Sequence, residues 1–507
     1  MLIKTDPDQI QSFLTDASYL EGGTAASVVF PETPEEVGRI LSEATRDATP
    51  VTVSGAGTGT VAGRVPFGGI VLATDRLNRI KSVVSSGAGG RAVAEAGVIL
   101  RDLQQSVESQ GALYPPDPTE RSCFLGGTIA TNASGARTFK YGPTRNYIER
   151  LRVALTTGDL LDLTRGQLHA EADGRIEIPL SSGARVVAKL PSYRMPSVRK
   201  NASGYFVAPG MDVIDLFIGS EGTLGVVVEA ELKLIVKPQG LLSGVVFSKD
   251  RDSLLAFVKK VRSTSLSTRE GQNFRGAASS SVDARVLEYF DSESLGFLRQ
   301  KYETIPSQAV GAIFFEQETT PTTEDSLMSE WMQLLEGHNA LADESWFATT
   351  EQDQAKLREF RHQLPVLMNE WFARYNQRKV STDMSVPDEQ FSGMLNFYDD
   401  LLKTSSLRYT IFGHIGDNHV HVNILPRDEA EAIKAREIYL QFVRRAVKVG
   451  GTVSAEHGIG KLKRDYLREM YSDQHLREMA ALKRAFDPAG ILGRGNIFSE
   501  TLLSELT

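Results

Sequence analysis

Residues 51–77 read VTVSGAGTGTVAGRVPFGGIVLATDRL, and this stretch decides between two fold classes. A strand predicted at 50–53 runs into a glycine-rich turn at Ser54–Thr60. Three positions in and after the turn fit the dinucleotide-binding pattern GxGxxA, namely Gly57, Gly59 and Ala62. Asp75 also lies about where that pattern places its ribose-binding acid.

The residues after the turn argue against a Rossmann fold. A dinucleotide-binding turn must open a helix, but Gly63, Pro66, Gly68 and Gly69 follow here, and the next predicted element is a strand at Ile70–Ala73. We therefore interpret the turn as a backbone nest, whose N–H groups hold a phosphate without a helix. A plain glycine hairpin is the alternative.

The rest of residues 1–240 mixes strands, short helices and glycine-rich loops, a pattern typical of the α+β class. It predicts a helix at 99–110 and strands at 151–164 and 225–236. In 241–440, apolar strands alternate with amphipathic helices, which favours an antiparallel sheet backed by helices. The stretch 262–281 is rich in Ser, Thr and Gly and is predicted to be a loop. These changes of pattern divide the chain into three units, with bounds at 1–240, 241–440 and 441–507.

Composition narrows the function classes. The 507 residues are too many for one ordinary core, and the net charge of −8 gives no reason to expect nucleic acid or an anionic membrane as a partner. A single cysteine, Cys123, leaves no disulfide framework and no cysteine-ligated iron–sulfur site. The sequence shows no signal peptide and no apolar run of about 20 residues. We expect a cytoplasmic protein, with peripheral contact at the inner face of the membrane left open.

Two polar stretches carry the chemistry. Residues 412–423 read FGHIGDNHVHVN and hold His414, His419 and His421, and residues 454–460 read SAEHGIG and hold Glu456 and His457. Neutral imidazoles and a carboxylate are the groups that a borderline divalent metal binds. One further histidine beside them serves as a base near neutral pH. We expect the two stretches to build one active site, and His419 and His421 to share a strand face because they are two residues apart.

Seven stretches in the same order resemble one family of proteins. They run from residue 54 to residue 498 and read SGAGTGT, PPDPTERSCFLGGTIATNASG, RKNASGY, GSEGTLG, FGHIGDNHVHVN, SAEHGIGK and FDPAGILGRGNIF. The chain resembles the FAD-dependent 2-hydroxyacid dehydrogenases of the vanillyl-alcohol-oxidase/PCMH superfamily, the group of D-lactate dehydrogenase, D-2-hydroxyglutarate dehydrogenase and the glycolate oxidase flavin subunit. This resemblance implies a PCMH-type FAD-binding domain of two α+β subdomains at 1–240. It also implies a substrate or cap domain at 241–440, and a C-terminal segment at 441–507 that completes the site.

The resemblance also implies an FAD site. The residues it carries over are Ser54, Gly55, Ala56, Gly57, Thr58, Gly59, Thr60, Pro116, Asp117, Thr119, Ser122, Gly126, Gly127, Asn132, Ser134, Gly135, Glu221, Gly222, Val227 and Asn496. Ser54 stands where the family often has an arginine. Some relatives attach FAD through a histidine, but the only histidine in the N-terminal half is His169, in a polar segment. We therefore predict non-covalent FAD.

By the same resemblance, His414, His421 and Glu456 are ligands of Zn²⁺ or Mn²⁺, and His457 is the catalytic base. The implied substrate contacts are Arg361, Lys379 and Asn423, although Lys379 is offset by two residues from the family's lysine. Residues 418–419 are Asn-His where the family motif has Gly-Asn. Three roles for His419 stay open: an additional metal ligand, a residue that supports a ligand, or a base.

The predicted activity is FAD-dependent oxidation of a small D-2-hydroxy acid to the 2-oxo acid. The implied partner is a separate electron acceptor, which is a quinone, a cytochrome or an electron-transfer flavoprotein, and a homodimer is one oligomeric state to consider. One alternative is an oxidase that uses O₂, or a flavin subunit of a larger complex with an iron–sulfur partner. Another is a metal-dependent hydrolase or metal-binding protein without flavin.

Overall fold

The structure is a computed structural model that describes residues 1–270 and 281–505. Its N-terminal sheet has the strand order β1-β2-β4-β3, with β4 parallel to both β2 and β3, and its strands are β1 (Leu2–Lys4), β2 (Ser27–Phe30), β3 (Val51–Ser54) and β4 (Ile70–Ala73). Residues 55–69, all described, connect the parallel strands β3 and β4 without a helix. The glycine turn therefore does not open a helix, as expected.

The N-terminal half also contains a second sheet, which is antiparallel. It has the order β5-β6-β12-β8-β9, with a short strand β7 also paired to β12. Its strands are β5 (Ile80–Ser86), β6 (Gly89–Glu95), β7 (Ala112–Leu113), β8 (Ile148–Ala154), β9 (Leu160–Thr164) and β12 (Val226–Val236). In the sequence, a separate hairpin of β10 (Arg175–Pro179) and β11 (Arg185–Lys189) lies between β9 and β12. The single strand predicted at 151–164 was wrong: the chain turns between β8 and β9, where Gly158 takes a φ of +93°.

The third large sheet has seven strands and is antiparallel throughout, with the order β16-β13-β15-β14-β18-β19-β17. Its strands are β13 (Gly240–Ser248), β14 (Ala284–Asp291), β15 (Gly311–Thr319), β16 (Trp346–Ala348), β17 (Val380–Ser381), β18 (Tyr409–Gly413) and β19 (His421–Ile424). Helices pack on it, and the α+β prediction is confirmed.

The helices are α1 (Pro7–Ile10), α2 (Pro34–Arg46), α3 (Leu100–Glu108), α4 (Leu125–Ala130), α5 (Thr138–Tyr141), α6 (Ile214–Phe217), α7 (Arg251–Arg269), α8 (Ser292–Leu298), α9 (Glu324–Glu336), α10 (Glu351–Tyr375), α11 (Phe391–Ser405), α12 (Glu429–Lys448), α13 (Arg464–Met470), α14 (Asp473–Phe486) and α15 (Glu500–Ser504). Local sequence explains their ends. In α2, Thr33 caps the amide of Glu36, Pro34 stands in the first turn, and Val37 and Leu41 are fully buried.

The loop predicted at 262–281 was wrong for its first part, because α7 continues to Arg269. Tertiary contacts outweigh the polar composition there: Ser265 is fully buried, and the Arg269 Nε donates to Asp283 at 2.5 Å. The remainder of that predicted loop, 271–280, lies outside the described residues.

The C-terminal segment returns to the N-terminal half. The Lys461 amide donates to the Val61 carbonyl at 2.9 Å, and the Gly493 amide donates to the Val51 carbonyl at 2.9 Å. A Cβ at Gly460 would lie 2.1 Å from the Val61 oxygen, so this approach requires glycine. These contacts bring the SAEHGIG stretch against the loop that follows the glycine turn.

Candidate active site

The histidine stretch forms the loop between β18 and β19. His414 follows β18, a short 3₁₀ turn spans Ile415–Asp417, and His421 begins β19 opposite Phe412. The amide of His419 donates to the carbonyl of His414 at 3.2 Å and closes the loop. His419 is fully buried, His414 nearly so, and the His421 side chain is 13% exposed.

Each of the three imidazoles has one nitrogen near the carboxylate of Glu456. The nearest distances to a Glu456 oxygen are 3.3 Å from Nε2 of His414, 3.8 Å from Nδ1 of His419 and 3.9 Å from Nε2 of His421. One ligand atom from each of these four residues lies within 4.8 Å of all the others. The structure thus brings together the predicted ligands His414, His421 and Glu456, and it adds His419 to them.

The other nitrogen of each imidazole faces an oxygen behind it. The partners are Glu288 Oε1 at 2.5 Å from His414 Nδ1, Asp383 Oδ1 at 3.2 Å from His419 Nε2, and the Thr382 carbonyl at 2.9 Å from His421 Nδ1. Histidines that bind metal ions in proteins nearly always have such a partner on the second nitrogen, which fixes the ring and its tautomer. The donor set therefore fits a divalent transition metal such as Zn²⁺.

The charge around each ring sets its proton affinity. Burial lowers the pKa of His421 well below its usual value and also lowers the pKa of His419. For His414, burial lowers the pKa too, but the Glu288 and Glu456 carboxylates outweigh it and raise the pKa to about 9. Despite its burial, Glu288 has its own pKa held at about 2 by Arg361 and His414.

Lys200, from the RKNASGY stretch, also holds Glu456. Its ammonium lies 2.5 Å from Glu456 Oε1, 3.4 Å from Asp417 and 3.0 Å from the Gly135 carbonyl, and it is fully buried. Ser134 donates to the same Glu456 oxygen at 3.1 Å. The sequence predicted Ser134 and Gly135 as FAD residues. In the structure they also connect the glycine-rich stretch to the candidate metal ligand.

Asp383 joins the two halves of the site, and the sequence reasoning did not select it. It is fully buried and accepts hydrogen bonds from Ser454 and Lys463 and from the backbone amides of Glu456 and His457. Its Oδ2 lies 3.2 Å from Nδ1 of His457. Burial raises the pKa of Asp383, but His457 and Lys463 outweigh it and hold that pKa well below its usual value. An ionised carboxylate therefore orients the His457 ring.

Glu456 and His457 line a cavity that is partly open to solvent. The same cavity is lined by predicted FAD residues from all three glycine-rich stretches: Gly55, Ala56, Gly57, Thr58, Gly59, Thr60, Thr119, Gly126, Gly127, Ser134, Glu221, Gly222 and Val227. A Cβ at Gly59 or Gly127 would meet no protein atom within 4 Å, so these glycines leave the backbone open to a ligand. The cavity fits a large cofactor.

Seven predicted FAD residues do not line this cavity and make other contacts. Asp117 pairs with Arg121 and Arg137, and Asn132 caps the Arg145 amide. The carbonyl of Pro116 accepts from Gln104, and Asn496 connects Gly63, Glu221 and Lys461. The remaining three are Ser54, Ser122 and Gly135. His169 is exposed and also lies outside the cavity lining.

Arg64 was missed by the sequence reasoning, although it lies only ten residues after Ser54. Its guanidinium donates to Ser54 Oγ at 3.0 Å and to the Gly55 carbonyl at 2.8 Å, and the residue lines the cavity. A Cβ at Gly57 would lie 2.3 Å from that guanidinium. A cation therefore stands under the glycine turn even though Ser54 replaces the family's arginine.

Glu221 has a structural contact that its predicted role did not include. Its carboxylate accepts from the amides of Ile459 at 2.7 Å and Gly460 at 2.6 Å. Burial raises the pKa of Glu221 to about 7 against these hydrogen bonds. Glu221 thus ties the GSEGTLG stretch to the SAEHGIG stretch beside the cavity.

The three predicted substrate residues differ in placement. Arg361, on α10, lies 3.2 Å from Glu288 Oε2 and is thereby one contact away from His414. Asn423 is buried on β19, two residues after His421 and on the same strand face. Lys379 is exposed and lines a different cavity with Thr60 and Val61.

Comparisons with known proteins identify the family. A model described as an FAD binding domain matches residues 25–164, and one described as the C-terminal domain of FAD linked oxidases matches residues 268–497. The chain belongs to the FAD-linked oxidoreductases of the vanillyl-alcohol-oxidase/PCMH superfamily. An FAD-linked oxidoreductase of this superfamily binds FAD, so the alternative of a flavin-free hydrolase is not supported.

Three curated relatives match over nearly their whole length. The Bacillus subtilis glycolate oxidase subunit GlcD is 28% identical, over 94% of this chain and 89% of its own. The Anaerostipes hadrus D-lactate dehydrogenase is 29% identical, over 96% and 92%. The Stutzerimonas stutzeri D-2-hydroxyglutarate dehydrogenase is 28% identical, over 98% and 96%.

The fold of this FAD-linked oxidoreductase also matches a solved structure. Alkyldihydroxyacetonephosphate synthase superposes with a TM-score of 0.66 and 17% sequence identity, over 97% of this chain and 82% of that one. At this identity the similarity concerns the fold alone. Within the described residues, no helix is both long enough and apolar enough to cross a membrane.

Proposed function

We propose that this FAD-linked oxidoreductase oxidises a small D-2-hydroxy acid to the corresponding 2-oxo acid and passes the electrons to a separate acceptor. One observation carries the proposal: Glu456 and His457 line the same cavity as the glycine-rich stretches of the FAD domain. A substrate bound in this cavity would therefore contact both the hydride acceptor and the group that takes the proton. The names of the relatives, for D-lactate, D-2-hydroxyglutarate and glycolate, point to the same substrate class.

Each of the three units of the chain has its own proposed role. Residues 1–240 hold FAD, which accepts a hydride when it is bound. Residues 241–440 cover it and supply the histidine stretch, and residues 441–507 complete the site. The glycine turn with Arg64 beneath it is the proposed pyrophosphate site, because backbone N–H groups and a nearby cation both favour an anion. FAD is held without a covalent bond, since the exposed His169 lies outside the cavity lining.

Charge supports a divalent ion at His414, His421 and Glu456. Four carboxylates and three cations surround the imidazoles, namely Glu288, Asp383, Asp417 and Glu456 against Lys200, Arg361 and Lys463. Without an ion, the proton that the raised pKa of His414 retains balances this excess of one negative charge. A metal ion would displace that proton, because a ligating imidazole is neutral, and a divalent cation then leaves one positive charge. A bound ion of this kind, Zn²⁺ or Mn²⁺, lowers the pKa of a hydroxyl that it touches. The resulting positive site suits an anionic substrate.

His457 is the proposed base. Its Nδ1 faces the ionised Asp383, so Nε2 is the nitrogen left to take the hydroxyl proton. The side chain is 35% exposed and lines the cavity, so substrate can reach it. A carboxylate that fixes the tautomer and stabilises the charged ring is the arrangement that general-base histidines use elsewhere.

Arg361 and Asn423 are the proposed substrate contacts, because a guanidinium provides a fixed fork for a carboxylate. In the described part of the chain, Arg361 Nε is buried without a hydrogen-bond partner, so one donor is free of protein contacts. Lys379 is proposed only as a residue of the neighbouring cavity, where it would meet the second carboxylate of a larger substrate.

The electron acceptor is proposed to be a quinone, a cytochrome or an electron-transfer flavoprotein. With one cysteine in 507 residues, this chain cannot hold a cysteine-ligated iron–sulfur cluster to pass electrons onward. The single cysteine also suits a reducing, cytoplasmic location. Direct oxidation by O₂ is the alternative, and steady peroxide formation by the isolated protein would support it.

An anaerobic substrate panel tests the proposed function. The FAD-loaded protein is mixed with the D and L forms of lactate and 2-hydroxyglutarate and with glycolate, and flavin absorbance near 450 nm is followed. We expect bleaching with at least one D-2-hydroxy acid and little with its L form. If none of these acids bleaches the flavin of a fully loaded protein, the substrate class is wrong.

A further inference from the structure

We propose that His419 is a fourth protein ligand, so that the metal ion is held by three imidazoles and one carboxylate. The inference rests on the proposed metal site and deepens it. The resemblance implies only His414, His421 and Glu456 as ligands, and the usual family motif has Asn where this chain has His419.

His419 is placed relative to Glu456 in the same way as His414 and His421. All three rings have one nitrogen within 4 Å of a Glu456 oxygen and the other nitrogen near an acceptor behind it. The ring centroid of His419 lies 5.5 Å from that of His414 and 4.5 Å from that of His421. Donor atoms around a zinc ion are about 3.4 Å apart, so shifts of about 1 Å from the present separations of up to 4.8 Å would bring the four groups onto one ion. The substrate hydroxyl would then be a fifth ligand, a coordination number that catalytic zinc sites reach.

The hydrogen bonding of His419 points to a missing partner. Within residues 1–270 and 281–505, neither of its ring nitrogens completes an aligned hydrogen bond, although the side chain is fully buried. Buried polar groups without partners are rare in native proteins, because their desolvation is not compensated. An ion beside Nδ1, with Nε2 turned to Asp383, would satisfy both nitrogens.

The two other roles for His419 fit less well. A base must exchange its proton with substrate and solvent, but the His419 side chain is fully buried, whereas that of His457 is 35% exposed. A residue that supports Glu456 would need a hydrogen bond to it, and the 3.8 Å between Nδ1 and Oε1 is too long for one.

Local backbone conformation explains how histidine fits at this position. Asn418 takes the left-handed conformation, with a φ of +53°, and its side-chain Nδ2 donates to Asp388 Oδ1. Asparagine tolerates this conformation better than most residues, so the turn does not need the glycine of the family motif. The next residue then points into the cluster, where an imidazole has a longer reach than an amide.

X-ray absorption at the zinc edge tests the inference, because it counts imidazoles around the metal. Wild type and His419→Asn, which restores the family residue, are loaded with Zn²⁺, and Kd is measured by chelator competition. Glu288→Gln is the matched control, since Glu288 supports His414 from behind. We expect three imidazoles in wild type and two in His419→Asn, whose Kd rises by at least about 100-fold. The control keeps three imidazoles and its Kd rises by about 10–100-fold.

Thermal melting and FAD content confirm that both variants are folded before metal is compared. Two imidazoles in wild type, unchanged in His419→Asn, would overturn the proposal while leaving the three-ligand site intact. A wild-type protein that binds no zinc at its cluster would overturn this proposal and the proposed metal role together. The two failures are therefore distinguishable.

Discussion

Replacing His457 with alanine is expected to slow substrate-driven flavin reduction by about 10²–10⁴-fold while FAD remains bound, because a general base contributes this much to proton transfer. The variant removes the imidazole that lies against Asp383 and the cavity. It leaves the glycine turn and the contact of Glu221 with Gly460 untouched. Anaerobic stopped-flow absorbance measures the rate, and the flavin-to-protein ratio measures retention of FAD.

His169→Ala is the matched control for this experiment. His169 is exposed and does not line the cavity, so the variant should reduce its flavin at the wild-type rate. A His457→Ala protein that bleaches at nearly wild-type speed would show that another group takes the proton. A variant that loses its FAD would instead assign His457 to cofactor binding.

Removal of the metal is expected to slow flavin bleaching at least about 100-fold, which corresponds to about 2.7 kcal/mol of barrier. Without the ion, the substrate hydroxyl keeps its ordinary pKa and the base must remove a much less acidic proton. The flavin spectrum should stay unchanged, because none of the three predicted ligands belongs to the glycine-rich stretches. Dialysis against a chelator, metal analysis and the same stopped-flow assay measure the effect.

Restoration separates loss of metal from damage by the chelator. One equivalent of Zn²⁺ or Mn²⁺ should return the rate, whereas chelator already saturated with Zn²⁺ should have had little effect. Full activity in protein whose metal content has been shown to be negligible would refute the catalytic role of the ion.

Features fixed by neighbouring residues were predictable from the sequence. Pro66 and the glycines around it exclude a helix after the glycine turn, and the structure has none there. The close spacing of His414 and His421 indicated a shared site, and the loop between β18 and β19 brings them together. The strand face predicted for His419 and His421 was wrong, because β19 begins only at His421 and His419 lies in the loop before it.

Features that depend on distant contacts were not predictable. The strand β14 was missed, and with it Glu288, which pairs with both His414 and Arg361 from more than 70 residues away. Asp383 was not selected, because its five polar neighbours come from segments that meet it only in the folded chain. The helical continuation to Arg269 has the same cause, since tertiary packing overrode the local composition.

The central claim is that the histidine cluster and the flavin cavity form one active site. Titration of the FAD-loaded, Co²⁺-substituted protein with the 2-oxo acid product tests this claim directly, because cobalt and flavin absorb in separable regions. A single site predicts that both spectra change with the same Kd and that His457→Ala alters both equally. If the product perturbs only one of the two chromophores, or the two with different Kd values, the cluster and the cavity are separate sites.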